Sequence, residues 1–260
     1  GLFGLAGMGL AGACVKRLTG DGFLAYAAAA LTAGIEVKWY LDVGPNTIHA
    51  TVSILALYLL LRDPALSWKT LVGAGLALFA SFWSKQLGLA YMVAGTVYVL
   101  SKDWRKGLWL GGGLAALSLA GILYYENLEN SQFLYWVFEM NQNQPIIWSR
   151  LWTVVYTEIL TRKYAVSVAL IAAGALAYER SWRGLFRPEL LLLGAAAVAG
   201  AFANGKYGSG TSQMWVFYVL MIVMGLAYAH RFFRDRRLAV PLLGSLLALQ
   251  GLALIDDPRT

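Results

Sequence analysis

Phe82-Trp83-Ser84-Lys85-Gln86-Leu87-Gly88-Leu89 is the stretch whose reading decides the fold. Apolar sequence runs away from it on both sides, Leu71 to Phe82 and Leu87 to Leu100, with a cation at the midpoint. The thirty residues from Leu71 to Leu100 are too many for one ordinary membrane helix of about 20 residues. A lysine at the centre of a single span would cost at least about 2.5 kcal/mol. Two short helices meeting at Ser84-Lys85-Gln86 remove that cost. They leave the lysine at a membrane surface, at the tip of its own hairpin, and the functional reading depends on which surface that is.

The composition fits this setting. Of the 260 residues, 59% are hydrophobic and 13% charged, roughly half the charge of a soluble domain. Ten tryptophans and fourteen tyrosines suit the aromatic belts of a membrane–water interface. The one cysteine, Cys14, supports neither a disulfide nor a zinc site. A net charge of +7 invites a nucleic-acid reading. The cations fall in separate short loops and form no basic stripe, which argues against nucleic acid as a partner.

Ten apolar segments can be marked, roughly 1–15, 22–37, 48–61, 70–83, 87–100, 107–125, 164–178, 189–203, 214–229 and 238–255. They are continuous rather than alternating, which selects helices over barrel strands. The expectation is an all-α, polytopic transmembrane helix bundle of about ten spans, residues 1–260 forming a single domain. The chain opens at Gly1, already apolar, and ends at Asp257-Pro258-Arg259-Thr260 just after an apolar run. It reads as a piece truncated at both ends. Gly1–Val15 has no basic residues ahead of its apolar core, so it reads as a cut span rather than a signal peptide.

Topology follows from the cations. If connections alternate sides with Lys16-Arg17 inside, the inner loops hold fourteen of the 21 lysines and arginines. The outer set is Lys38, Lys85, Arg150, Arg162, Lys163, Lys206 and Arg259. That asymmetry satisfies the positive-inside rule and turns Lys85 to the extracytoplasmic side. The inner loops, such as Lys102-Asp103-Trp104-Arg105-Lys106, read as topology anchors, with anionic-lipid contact the lesser option. They contain no phosphate loop and no pair of carboxylates spaced for a metal–nucleotide. Gly111-Gly112-Gly113 and the Gly4, Gly7, Gly9, Gly12 series read as close helix packing.

The outer loops carry the unusual sequence. The first complete one holds Glu36, Lys38 and Asp42, a turn at Gly44-Pro45, and Asn46 in the place of a helix cap, followed by His49. It is either a solvated turn or the polar rim of a site. The second runs through residues 126–163. An aromatic stretch, Phe133 to Phe138, is broken by Asn141-Gln142-Asn143-Gln144-Pro145. Then Trp148, Leu151, Trp152, Val155, Tyr156, Ile159 and Leu160 recur at helical spacing, the pattern of an amphipathic helix lying in the interface. It either lids the bundle or borders a lipid groove. The third, Asn204 to Gln213, is a flexible turn or a place where three glycines, Gly205, Gly208 and Gly210, with Lys206 and several hydroxyls present backbone N–H groups to a phosphate.

Together these loops resemble the GT-C glycosyltransferases, in the bacterial group of lipopolysaccharide sugar transferases, protein mannosyltransferases and the aminoarabinose transferase. The likeness rests on four pieces. Pro45-Asn46 leads into an apolar helix ending Leu57-Tyr58-Leu59-Leu60-Leu61-Arg62. Gly73-Ala74-Gly75-Leu76-Ala77 leads to Ser84-Lys85-Gln86, where the group reads Thr-Lys-Gln. Asn127–Asn143 is similar to the group's aromatic outer segment, and Leu249-Gln250-Gly251 runs to Asp257-Pro258-Arg259. Two features depart from the group. Its Arg-Pro-Asp stands here as Gly44-Pro45-Asn46, with Asp42 four residues earlier, and the acid of its first outer loop is absent.

The resemblance implies transfer of a sugar from a polyprenyl-phosphate donor to a lipid, glycan or protein acceptor at the outer face of a bacterial inner membrane. A surface cation would neutralise the leaving phosphate, and a carboxylate would take the acceptor's proton. Asp42 and Glu36 are the candidate acid–base residues, with the main base expected upstream of residue 1. Lys85, Gln86, Asn46, His49, Arg162, Lys163, Lys206 and Tyr207 are the candidate substrate contacts. No soluble cofactor is implied. A divalent metal is compatible with the chemistry, but the sequence shows no ligand cluster for one. Two other classes remain open: a transporter or lipid flippase, which would carry polar groups inside its spans, and a non-catalytic membrane assembly protein.

Overall fold

The structure, a computed structural model, describes residues 2–34, 44–128, 132–135, 139, 143–153, 155–156, 165–178, 186–206 and 211–233. In chain order the helices are α1 (Leu2–Thr19), α2 (Gly22–Gly34), α3 (Pro45–Arg62), α4 (Trp68–Ser84), α5 (Gly88–Lys102), α6 (Trp104–Glu126), α7 (Trp148–Thr153), α8 (Ala165–Tyr178), α9 (Pro188–Gly205) and α10 (Trp215–Phe233). Among the described residues there is no strand, only an isolated antiparallel bridge between Ile146 and Lys206. The all-α expectation holds.

The bundle is built around α10. Every residue from Trp215 to Ala229 is buried. A helix with no polar face has to be surrounded, and α8, α9, α1, α2 and α3 surround this one. A layer of hairpins extends from it: α1 packs on α2 and α3, α3 on α4, α4 on α5, and α5 on α6 and α9. At the periphery, α6 buries only Gly107, Leu110 and Leu114. The most apolar window of α10 is 78% buried and that of α6 is 17% buried, so two stretches equally able to cross a membrane occupy opposite places in the fold.

The expectation of about ten spans is corrected. Among the described residues three helices are long and apolar enough to cross a membrane: α6, α9 and α10. The segment 238–255 lies outside the described residues. Length excludes most of the others. The 13, 17, 15 and 14 residues of α2, α4, α5 and α8 reach only about 20–26 Å at 1.5 Å per residue, against a hydrocarbon core of about 30 Å. The 18-residue helices α1 and α3 are diluted by polar ends, Lys16-Arg17 in one and Pro45-Asn46-Thr47 with Arg62 in the other. The protein therefore has membrane-crossing helices, in a bundle whose other described helices are too short or too polar to qualify.

The connections explain the helix lengths. Ser67 caps α4 with its hydroxyl, and Asp103 caps α6 by accepting from the N–H groups of Arg105 and Lys106. Between α3 and α4 the Asp63 carboxylate accepts from Ser67 N at 2.8 Å, Thr70 Oγ1 at 2.9 Å and Ala65 N at 3.2 Å. Hydrogen bonds from Ser67, then from Thr70, hold its pKa down at about 2. In the same turn Leu66 takes a left-handed backbone, φ 54, with its side chain buried.

Helix direction sorts the cations. Lys16, Arg17, Arg62, Lys69, Lys102, Arg105, Lys106, Arg187 and Arg231 lie at one end of the bundle, which we call the basic end. Arg17 ties it together there by donating to the carbonyls of Leu61 and Arg62 at 3.2 and 3.1 Å. The opposite end carries Lys85, Arg150 and Lys206. Of the glycines expected to pack closely, Gly12 does so most tightly: a Cβ there would stand 2.7 Å from the Ala25 carbonyl oxygen of α2. Gly111 meets Thr96, but a Cβ at Gly9, Gly112 or Gly113 would face open space. The close-packing expectation fails at those three.

Gly12→Ala is accordingly expected to destabilise the protein by about 1–3 kcal/mol through forced separation of α1 and α2. Gly9→Ala should be neutral, or stabilising by up to about 1 kcal/mol, since alanine is the better helix former. Unfolding of the two variants in mixed detergent micelles measures the difference. Equal losses would refute the α1–α2 contact.

Candidate functional site

The end of the bundle opposite the basic end is built from the start of α3 and the α4–α5 turn. Pro45 occupies the first turn of α3, where its missing N–H costs nothing. This makes Gly44 the N-cap, without a side-chain cap bond, and corrects the assignment of Asn46 as a cap. Asn46 is free of that duty, and its Oδ1 accepts a hydrogen bond from Lys85 Nζ. Asn46, His49 and Ser53 fall at i, i+3 and i+7, on one face of α3. That face meets Ser81 and Lys85, an i, i+4 pair at the end of α4.

The expected break in the hairpin is present. Helix α4 ends at Ser84, and Lys85 is its C-cap, with an N–H directed at the carbonyls of Ser81 and Phe82. The turn closes with Gly88 N donating to Lys85 O at 2.9 Å. A Cβ at residue 88 would stand 2.2 Å from Phe82 N, so only glycine permits this approach and sets the position of the lysine.

Below the ammonium lies a buried polar chain. His49 is 4% exposed. Its Nδ1 stands 3.1 Å from the Ser81 carbonyl oxygen and 3.0 Å from Ser81 Oγ. Ser81 Oγ is 2.8 Å from Ser53 Oγ, and Ser53 Oγ donates to the His49 carbonyl at 2.7 Å. The Tyr91 ring packs 5.3 Å from the imidazole. Beside this chain Trp83 stacks with Phe133 at 5.7 Å and tilts against Tyr125 at 5.3 Å. Phe133 thereby brings the start of the 126–163 segment back to the α4–α5 turn. The later part docks on α9, where Ile147 N donates to Gly205 O at 2.8 Å.

Lys85, Asn46 and His49 are therefore brought together, with Gln86 exposed on the same turn. Lys206 is the C-cap of α9, and its carbonyl accepts from Arg150 at 3.5 Å. It lies at the same end of the bundle but in a different set of contacts. Glu36, Asp42, Arg162, Lys163 and Tyr207 lie outside the described residues. Among the described residues the amphipathic segment is α-helical over Trp148–Thr153, with Trp148, Trp152 and Tyr156 exposed, and residues 157–160 of the expected helix lie outside the described residues. Sequence reasoning passed over Ser53, Ser81 and the Trp83–Phe133 stack. The two serines could have been found from their i, i+4 spacing to His49 and Lys85.

The arrangement suits an anion. Among the described residues one Lys85 donor is spent on Asn46 and two remain. Desolvation lowers the lysine pKa from its ordinary 10.5 to about 8, so the ammonium dominates below pH 8 and the neutral amine above it. Among the described residues no group of three His, Cys, Asp or Glu side chains is placed to hold a metal ion. No family model, curated protein or solved structure matches the chain. What the fold defines is a class: an all-α helical protein with membrane-crossing helices and a polar site at the end of a helix hairpin.

An opposite charge beside Lys85 raises its pKa. Asn46→Asp should therefore move the midpoint of Lys85 acylation upward from near pH 8 by about 1 pH unit or more. Mass spectrometry of the labelled lysine across pH checks this, and an unchanged midpoint would show that residue 46 does not contact Lys85.

Proposed function

We propose that the protein is a membrane glycosyltransferase that passes a sugar from a polyprenyl-phosphate donor to a lipid, glycan or protein acceptor at the outer face of a bacterial inner membrane. The observation that carries this reading is the Lys85–Asn46 pair at the tip of the α4–α5 hairpin. The cation bias of the loops favours turning that tip outward. There an ammonium with two spare donors meets the depth at which a lipid-linked phosphate lies. Its charge would stabilise the leaving phosphate more as negative charge develops, which is the differential binding that accelerates a reaction. Asp42 is four residues before Asn46, so the chain keeps its Cα within about 14 Å of the Asn46 Cα. Asp42 and Glu36 are the groups assigned to accept the acceptor's proton.

A second reading has its own support. Thr32, His49, Ser53, Glu189 and Asn204 are buried within the bundle, and Glu189 pairs with Arg187 while fully shielded. Buried polar groups of this kind mark the pathways of transporters and flippases. Here Thr32, Glu189 and Asn204 sit near helix ends, while Ser53 lies at the middle of α3; other buried positions of the bundle, such as Ile54, Leu57, Leu78 and Leu220, are apolar. A non-catalytic assembly role would leave the same groups as purely structural contacts.

Reconstitution of the full-length protein in vesicles with a polyprenyl-phosphate sugar separates these readings. Under the transferase reading Lys85→Gln lowers kcat by about 100-fold, and Lys85→Arg keeps part of the activity because charge survives. Wild-type turnover by Lys85→Gln would remove the catalytic role. Lipid crossing the bilayer without sugar transfer would establish the flippase reading, and neither activity the assembly role.

A further inference from the structure

At the basic end of the bundle, away from Lys85, a cleft of about 250 Å³ opens between α4 and α6. Its walls are Leu71, Val72, Leu76, Leu114 and Leu117, with Trp68 and Lys106 at the mouth. The floor is open because residue 113 is glycine, and a Cβ there would meet no atom within 4 Å. Around the other side of α6 runs a second, shallower trough lined by Leu108, Gly112 and Ala116, headed by Trp104 and Arg105. The two share Trp109 and Gly113, so Trp109 is a ridge between them. The Trp68, Trp104 and Trp109 side chains are 56%, 62% and 72% exposed, and indoles of this kind favour the headgroup level of a bilayer.

Charge at the mouths selects the occupant. The α3–α4 and α5–α6 connections and their flanking turns hold Arg62, Lys69, Lys102, Arg105 and Lys106 against Asp63 and Asp103. Lys106 is held in place by the Ala65 carbonyl at 3.2 Å, with Asp103 at 3.9 Å, and Arg105 rests 5.4 Å from the Trp104 ring. We propose that this flank binds an anionic phospholipid, its two acyl chains straddling Trp109 in the paired troughs and its phosphate held by Lys106 and Arg105. A second protein helix would have to cover Trp109 and both troughs and leave the excess of cations unmatched. An anionic two-chain lipid satisfies the apolar walls and the charge together.

Native mass spectrometry of the purified chain with dioleoyl phosphatidylglycerol and dioleoyl phosphatidylcholine tests the site. The wild type is expected to retain the phosphatidylglycerol more than the phosphatidylcholine. Lys106→Gln should reduce that preference about fivefold, the scale of one basic residue at an anionic surface. Gly113→Leu places a side chain where the two troughs meet, at a position whose Cβ has no atom within 4 Å, so it should fold and lose both lipids. Equal retention of the two lipids by the wild type would overturn the proposal. So would unchanged binding to Gly113→Leu, or a dimer joined through a disulfide at Gly113→Cys in a Cys14→Ala background.

Discussion

The structure depends on a helix that has no outside. From Trp215 to Ala229 α10 offers apolar surface in every direction, and such a helix is stable only when neighbours shield all of it. The surrounding helices meet that demand with small residues where they come closest. Gly174 of α8 faces the Tyr228 ring of α10, and Gly200 of α9 faces Met214 in the turn just before it. Large side chains on and beside the core helix are thus matched to gaps on its neighbours, which is how interiors reach close packing without voids. Helices farther from α10, above all α6, keep much of their apolar surface exposed.

Among the described residues polar side chains gather mainly toward the two ends of the bundle, and the ends differ. One gathers cations around short, well-capped turns. The other gathers a lysine, an asparagine, an imidazole and two serines against a stack of aromatic rings. The Trp83 indole Nε1 there is buried without a hydrogen-bond partner, a cost that burial of the ring offsets. This polar end spends polar groups on geometry, while the basic end uses them to finish helices.

Much of this could be read from the sequence. The apolar run 70–83 became Trp68–Ser84 and the run 189–203 became Pro188–Gly205, because Ser67 and Pro188 mark helix starts chemically. The hairpin break at Lys85 was legible from the cost of burying a lysine. The rank of the helices was not: 214–229 looked like any other apolar run, and nothing local shows that it would be the one enclosed. The number of spans was overestimated because apolarity was read without the length that caps impose. Asn46 was misplaced because the proline before it shifts the cap to Gly44. The spacing of Ser53 to His49 and of Ser81 to Lys85 marks each serine within its own helix, but that the two helices bring them together is shown by the fold.

The turn closed by Gly88 contains no slack, which makes α4 a lever. The helix is 17 residues long, about 26 Å at 1.5 Å per residue. Leu71, Val72 and Leu76 form one wall of the cleft near its start, and Lys85 is its final cap. The Gly73 and Gly75 region contacts neighbours through leucine side chains, Leu59 and Leu110, which yield more readily than backbone. Tilting such a rod about its middle swings the cleft wall and the ammonium in opposite directions. A shift of α4 at the cleft would thus be carried to the contact between Lys85 and Asn46 at its other end.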